Sequence, residues 1–294
     1  MRGESDRFGG SWTDDKLERV RKYLVAYAKI MRNRRYRFAY IDAFAGTGYR
    51  PADEPEEHSV SLFPELFEPE TRRFLDGSAR IALQSEPRFT EYIFVERRRA
   101  RCEELSFLRN DFPDKAEDIH IENEEANSYL RKLCGARDWS TNRAVLFLDP
   151  YGMQVEWATL ASLAETRALD LWLLFPLGVA VNRLLRRDGD IPEPWRNRLD
   201  RMFGTTDWFD AFYATEIQPG LFEEEVSHTR RVADVDRIGK YFVDRLRSVF
   251  PGVAKNPLAL YNSRNNPLFL LCFATANPYA VKPALRIAEN ILGK

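Results

Sequence analysis

The sequence predicts an α/β fold, a doubly wound and mostly parallel sheet with a helical insert before its last strand. Three observations carry the prediction. Short apolar, β-prone runs recur along the chain and each is followed by a helical stretch, the order expected of parallel strands joined by crossover helices. Two of these runs end at an acid that opens a loop: Asp42 before Ala45, Gly46, Thr47 and Gly48, and Asp149 before Pro150, Tyr151 and Gly152. Residues 177–256 show helical spacing and no clear strand, yet the strongly apolar PLFLLCFAT run follows at 267–275. The 294 residues suffice for one large domain with insertions or for two. The expected division is a basic helix over 1–34, a cofactor-binding core over 35–176, a helical insert or lid over 177–256, and a closing strand and helix over 257–294.

Composition narrows the function classes. A hydrophobic content of 44% indicates a filled core, and a net charge of -1 excludes a global polycation. Cys102, Cys134 and Cys272 lie far apart, with no CxxC and no histidine at ligand spacing, so neither a disulfide framework nor a metal site is expected. No apolar run reaches membrane-spanning length, and the opening MRGESDRFGG has no signal-peptide core. A soluble, cytoplasmic protein is expected.

Taken in order, Thr13, Asp14 and Asp15 can cap a helix over Lys16–Asn33, with Leu17, Val20, Leu24, Tyr27, Ala28 and Met31 at helical spacing. Its other face carries Lys16, Arg19, Arg21, Lys22 and Lys29, continued by Arg32, Arg34, Arg35 and Arg37. Such a face can track a phosphate backbone or be solvated. Phe38, Tyr40 and Ile41 then form a buried strand closed by Asp42. Three ligand readings compete for the loop that follows. A phosphate-binding P-loop needs Lys-Ser/Thr after its last glycine, where Tyr49-Arg50-Pro51 stands. A dinucleotide fingerprint needs glycines where Phe44 and Pro51 stand. The third is the S-adenosylmethionine loop, and the D-x-F-A-G-T-G form resembles its variant in nucleic-acid methyltransferases.

After a Pro- and Glu-rich excursion at 51–69, a helix is expected from Gly77-Ser78 to Gln84, with Ser78 as cap or ligand contact. Glu91–Val95 is the second strand, and Glu96 at its tip stands where nucleoside-binding sheets bond ribose hydroxyls. A helix over Arg97–Leu108 and a third strand over Asp118–Ile121 follow. The loop after the third strand offers Glu125 and Asn127, which fit either an adenine contact or a helix start. Ala144–Leu148 is the fourth strand and runs into Asp149-Pro150-Tyr151-Gly152, which alone is good turn chemistry but, as the second such strand end in register, reads as a site at the carboxyl edge of the sheet. A helix over Glu156–Ala164 and a fifth strand over Leu169–Phe175 come next. Within the insert, helices are expected around Val179–Arg187, Trp195–Met202, Asp207–Tyr213 and Val235–Phe250, with Arg183, Arg186, Arg187, Arg196, Arg198 and Arg201 making it locally basic. The strand at 267–275 and a helix over Ala284–Leu292 close the chain.

Together, IDAFAGTG at 41–48, GSARIAL at 77–83, FVE at 94–96, LFLDPYGMQVEW at 146–157 and LLFP at 173–176 resemble the three-Cys-motif partner protein (TcmP) family. The resemblance covers about 16 to 290 and is most specific at DPYG-x-x-V-x-W. It implies a Rossmann-like class I methyltransferase fold that binds S-adenosyl-L-methionine and associates with a small three-Cys-motif partner protein. It further implies that Asp42, Phe44, Ala45, Gly46, Thr47 and Gly48 surround the cofactor, with Glu96 on the ribose and Glu125 and Asn127 near the adenine. The family's acid at the Glu125 position is Asp, a departure here. The D-P-Y-G motif is similar to the D-P-F-G of tRNA guanine-N2 dimethyltransferases, which implies an amine of an RNA or DNA base as acceptor. No cysteine follows a proline, so cytosine-C5 chemistry is rejected. Three functions stay open: a nucleic-acid methyltransferase using Asp149, Pro150, Tyr151 and Gly152, a non-catalytic cofactor- or nucleotide-binding module, and a small-molecule methyltransferase with the insert as lid.

Overall fold

The computed structural model describes residues 11–46, 77–150, 152–219, 225–262 and 264–293. The main sheet is eight-stranded, in the order β3-β2-β1-β4-β5-β10-β8, with β9 also paired to β10. Its strands are β1 (Arg37–Asp42), β2 (Glu91–Val95), β3 (Ile119–Glu122), β4 (Asn142–Leu148), β5 (Leu169–Phe175), β8 (Gly252–Val253), β9 (Leu258–Tyr261) and β10 (Pro267–Thr275). β1 to β5 are all parallel, whereas β10 runs antiparallel to β5 and to β8. The order reverses direction between β1 and β4, the switch point at which such sheets bind ligands. This is the Rossmann-like, mostly parallel α/β architecture that the sequence predicts.

Strand alternation sorts the sheet side chains into two cores. One face sends Phe38, Tyr40, Phe94, Phe147, Trp172 and Phe273 against α1 (Ser11–Met31), α2 (Ser78–Gln84), α3 (Arg99–Ser106) and the last helix. The other sends Ile41, Ile93, Leu146, Leu171, Phe175 and Cys272 against α4 (Ala126–Ala136), α5 (Trp157–Glu165), α6 (Glu193–Phe203) and α7 (Val235–Val249). The chain ends in α8 (Val281–Leu292). β5 is buried at all seven positions because both layers cover it, which is why LDLWLLF is apolar at every position but Asp170.

The insert differs from the expected run of helices. Tyr213–Pro219 and Glu225–Arg231 are β6 and β7, a separate antiparallel pair. Tyr213 is buried at the start of β6, but Thr215, Glu216, His228 and Arg230 are exposed, so no apolar run advertised the pair, and cross-strand polar pairs hold it. The Thr215 and Thr229 hydroxyls lie 3.0 Å apart, and Arg230 donates to Glu216 at 3.1 Å. The helix expected over Val179–Arg187 is instead a π-helical turn at Leu177–Val181 and a short turn at Asn182–Leu184. Asp207–Tyr213 shortens to Trp208–Phe212 because Tyr213 opens β6. β8, within 177–256, and β9 are short strands that the sequence reading did not separate from loop.

Arg231 ties the insert together, and Gly204 and Arg245 seat it on α5. Arg231 donates to the carbonyls of Asn182, Leu185 and Ala233, tying β7 to the segment after β5. Gly204 ends α6 at φ +68, a left-handed cap, with its Cα against Trp157 of α5: an added Cβ would stand 2.1 Å from the indole. Arg245 of α7 lies over the same ring at 4.3 Å. Trp157, the last residue of the DPYG-x-x-V-x-W stretch, is thus the seat of the insert.

Candidate functional site

The carboxyl ends of β1, β2 and β4 bring the acids marked in the sequence to one edge. Asp42 closes β1 with its side chain fully buried. Its carboxylate accepts from the Ser78 hydroxyl at 2.6 Å and from the Phe44 backbone N–H at 3.2 Å, and the Tyr40 hydroxyl lies beside it. Ser78 is therefore a partner of Asp42 rather than the cap of α2, whose cap position is Gly77 with no side-chain bond. The chain then turns tightly: Ala43 N–H donates to the Phe147 carbonyl of β4 and Ala45 N–H to the Val95 carbonyl of β2. Gly46 follows at φ +65, a conformation that disfavours a side chain. Thr47 and Gly48, the rest of the predicted cofactor loop, lie outside the described residues.

Glu96 stands one strand away. Its Oε1 accepts from the Arg98 N–H at 2.8 Å, and Arg101 approaches Oε2 at 3.9 Å. Asn123, which the sequence reading passed over, donates to the carbonyls of Glu96 and Arg97 at 3.0 and 2.9 Å and so pins this turn. Asp149 leaves β4 at 4% exposure, followed by buried Pro150. Gly152 has φ +67 with no atom within 4 Å of an added Cβ, so its glycine serves the turn and borders open space. Tyr151 lies outside the described residues.

Electrostatics couple these strand ends. Burial raises the Asp42 carboxyl from 3.8 to about 7, against the hydrogen bonds from Ser78 and Phe44, and the nearby Asp149 charge raises it further. At the opposite end of the sheet, burial raises Asp170 of β5 to about 6, although Thr275 and Tyr23 hydrogen-bond it. An acid whose folded pKa exceeds its unfolded value holds its proton more tightly when folded. Its contribution to stability therefore falls as pH rises from the unfolded to the folded pKa. Asp42→Asn is expected to gain on wild type by at most about 1.4 kcal/mol per pH unit between about pH 4 and 7, and Asp170→Asn between about pH 4 and 6. Urea denaturation across that range is the check, and parallel profiles would refute the assignment.

Glu125 and Asn127 take the helix-start alternative. Glu125 caps α4, accepting from the backbone N–H groups of Asn127 and Ser128 at 3.0 and 2.8 Å. Those bonds lower its pKa against the opposing effect of partial burial. The Asn127 amide donates to Glu125 Oε1 and the Gln154 carbonyl, and accepts from the Glu156 N–H and the Thr159 hydroxyl. All four hydrogen-bonding positions of that amide are used within the protein. Its effect is to clamp the segment after Gly152 onto α4.

No family model and no curated protein matches the chain. Among solved structures it is similar to protein LPL1258 from Legionella pneumophila str. Philadelphia 1, described with family-model DUF519, at 12% identity and TM-score 0.51. That match covers 96% of this chain and 92% of the other, and shows the fold. More distant matches are the putative methyltransferase yhhF from Escherichia coli (15% identity, TM-score 0.32, 74% of this chain and 88% of that one) and the YcgJ protein from Bacillus subtilis (13%, 0.31, 86% and 95%). Among the described residues, no helix is long and apolar enough to cross a membrane, and no acid, histidine or cysteine cluster could hold a metal ion.

Proposed function

We propose that this chain is an S-adenosyl-L-methionine-dependent methyltransferase acting on an amine of an RNA or DNA base. The observation that supports it best is the convergence of Asp42, Glu96 and Asp149 on neighbouring strand ends at the switch point, beside a tight loop of small residues. The site fits the cofactor on its own terms. Ala43, Ala45 and Gly46 keep bulk away from the backbone, and Glu96 retains acceptor capacity for ribose hydroxyls beyond its bond to Arg98. When bound, the cofactor supplies a methyl group on a positively charged sulfur. The chain holds the loop: Asp42 fastens the backbone of Phe44 to α2 through Ser78, so it acts by positioning. Asp149 then accepts a hydrogen bond from the acceptor amine, and Tyr151 stacks on its base. Arg183 and Arg187, both exposed in the segment after β5, are available to substrate phosphates.

We further assign the chain to the TcmP family, with a three-Cys-motif protein as partner and the cytoplasm as its compartment, on the motifs quoted above and three free thiols. A second reading, a cofactor-binding module that transfers no methyl, is favoured by the burial of Asp149. Titration calorimetry with S-adenosylmethionine tests the shared premise. Glu96→Ala is expected to weaken binding by about 1–3 kcal/mol through the lost hydroxyl contacts. Asp42→Ala is expected to do the same through a loosened loop. Unchanged affinity in both variants would move the pocket elsewhere.

A further inference from the structure

Of the positive face expected along the first helix and past its end, the available charge gathers at the end. Glu18 pairs with Arg21 at 2.7 Å and meets Lys22 at 3.7 Å, and Arg19 is buried with a guanidinium bond to the Ile291 carbonyl. The turn that follows is different. Lys29, Arg32, Arg34, Arg35 and Arg37 are all exposed, and none has an acidic partner among the described residues.

Sheet register extends this cluster into a row. Arg37 opens β1 opposite Asn142, Arg143 is paired with Phe38, and Arg167 lies two residues before Leu169, which pairs with Ala144. Neighbouring strands lie about 4.8 Å apart, so the three positions fall close together at the amino-terminal edge, with Arg37 and Arg143 one register step apart and on opposite faces of the sheet. Arg143 lies 3.9 Å from the ring centre of exposed Tyr36, holding an aromatic face among the cations. Arg167 also borders a surface groove of about 370 Å³ with Arg247 and Ser248. The acids nearby are engaged or few: Asp138 accepts from Ser140 and Thr141, Asp244 pairs with Arg247 at 2.7 Å, and Glu165 is exposed. Arg143 is spent in part on the fold, donating to the Trp139 and Asn142 carbonyls at 2.6 Å, but in a chain of net charge -1 the cluster from Lys29 to Arg37 leaves a local excess of cations.

We infer that this rim binds the backbone of a polynucleotide, remote from the candidate methyl-transfer site. Arginines around a planar ring suit phosphates and a stacked base. The rim lacks the broad apolar face that would insert into a lipid surface. From Arg143 to Asp149 the strand runs six residues, about 20 Å, or about six duplex steps at 3.4 Å. A mononucleotide cannot reach both ends. Resting on the proposed methyl transfer to a base, the inference makes the substrate a polymer that touches two edges of the sheet.

The test is fluorescence anisotropy of wild type and Arg32→Ala/Arg34→Ala/Arg35→Ala with a labelled single-stranded RNA about 24 nucleotides long, titrated across salt concentrations. Loss of three phosphate contacts is expected to reduce the slope of log affinity against log salt by about 2. Affinity is expected to fall at least about tenfold near physiological salt, while Arg→Lys replacements at the same positions keep most of it. Thermal melting and S-adenosylmethionine calorimetry are expected to match wild type, because these side chains hold nothing in the fold. An unchanged slope, or no RNA binding by wild type, overturns the inference. So does a variant that loses binding to anionic phospholipid vesicles while keeping RNA. Because the anisotropy needs no methyl transfer, failure of the catalytic proposal shows separately, as RNA binding without product.

Discussion

Gly178→Ala is expected to cost more than about 3 kcal/mol of unfolding free energy, at or beyond the upper end of overpacking penalties. Gly178 lies in the π-helical turn after β5, where an added Cβ would stand 1.8 Å from the Pro267 carbonyl oxygen and 2.9 Å from its carbon. Both neighbours are backbone at the start of β10, so no side-chain rotation relieves the clash. The turn or the strand must move, and β10 is paired to β5 over six residues. Gly135→Ala is the control, since its Cβ would meet nothing within 4 Å inside α4. There the better helix propensity should stabilise by up to about 1 kcal/mol. Urea midpoints of the two variants should therefore move in opposite directions. A Gly178→Ala midpoint close to wild type would mean that the turn and β10 do not approach so closely.

Asp149→Ala is expected to lower methyl transfer to nucleic acid by about 100-fold or more, comparable to removing one hydrogen-bonding group from a charge-stabilising site. The amine gains positive charge as it is methylated, so an acceptor fixed at that point favours the transition state over the bound substrate. Cofactor affinity should stay within about twofold, because Asp42 and Glu96 remain in place. Tyr151→Ala should raise KM and lower kcat through loss of a base stack worth about 1–3 kcal/mol. Single-turnover assays with labelled methyl donor, using DNA, tRNA and rRNA with and without a three-Cys-motif protein, separate the readings. Wild type that binds cofactor but transfers nothing to any of them leaves the binding module as the function.

Legibility in the sequence tracked how far each signal was local. LDLWLLF and PLFLLCFAT announced β5 and β10 at their observed bounds, because burial on both faces leaves few polar positions, Asp170 and Thr275, to confuse the period. The strand ends at Asp42, Glu96 and Asp149 were readable as acids after apolar runs. Two of their partners were not: Asn123 and Ser78 reach these turns from 26 to 36 residues away, through tertiary folding. Asn127 shows the limit most clearly. Its place after the third strand suggested adenine, yet the clamp that it forms requires Gln154, Glu156 and Thr159, about thirty residues later, which spacing does not reveal. The β6–β7 pair was missed because, past buried Tyr213, its described side chains are mostly polar and solvated and carry no burial pattern.

The placement of β8 bears on how this chain can be cut. Although it belongs to the stretch between β5 and β10, β8 pairs with β10 at Ala274 and Thr275, next to where β5 pairs on the other side. Excising 177–256 as a detachable lid would strip that cover and leave an apolar nine-residue strand with part of one side bare. Exposed backbone donors and acceptors beside leucine and phenylalanine side chains recruit other chains. The expected product of such a deletion is a self-associating polypeptide, so any minimal version of this protein has to keep Gly252 and Val253.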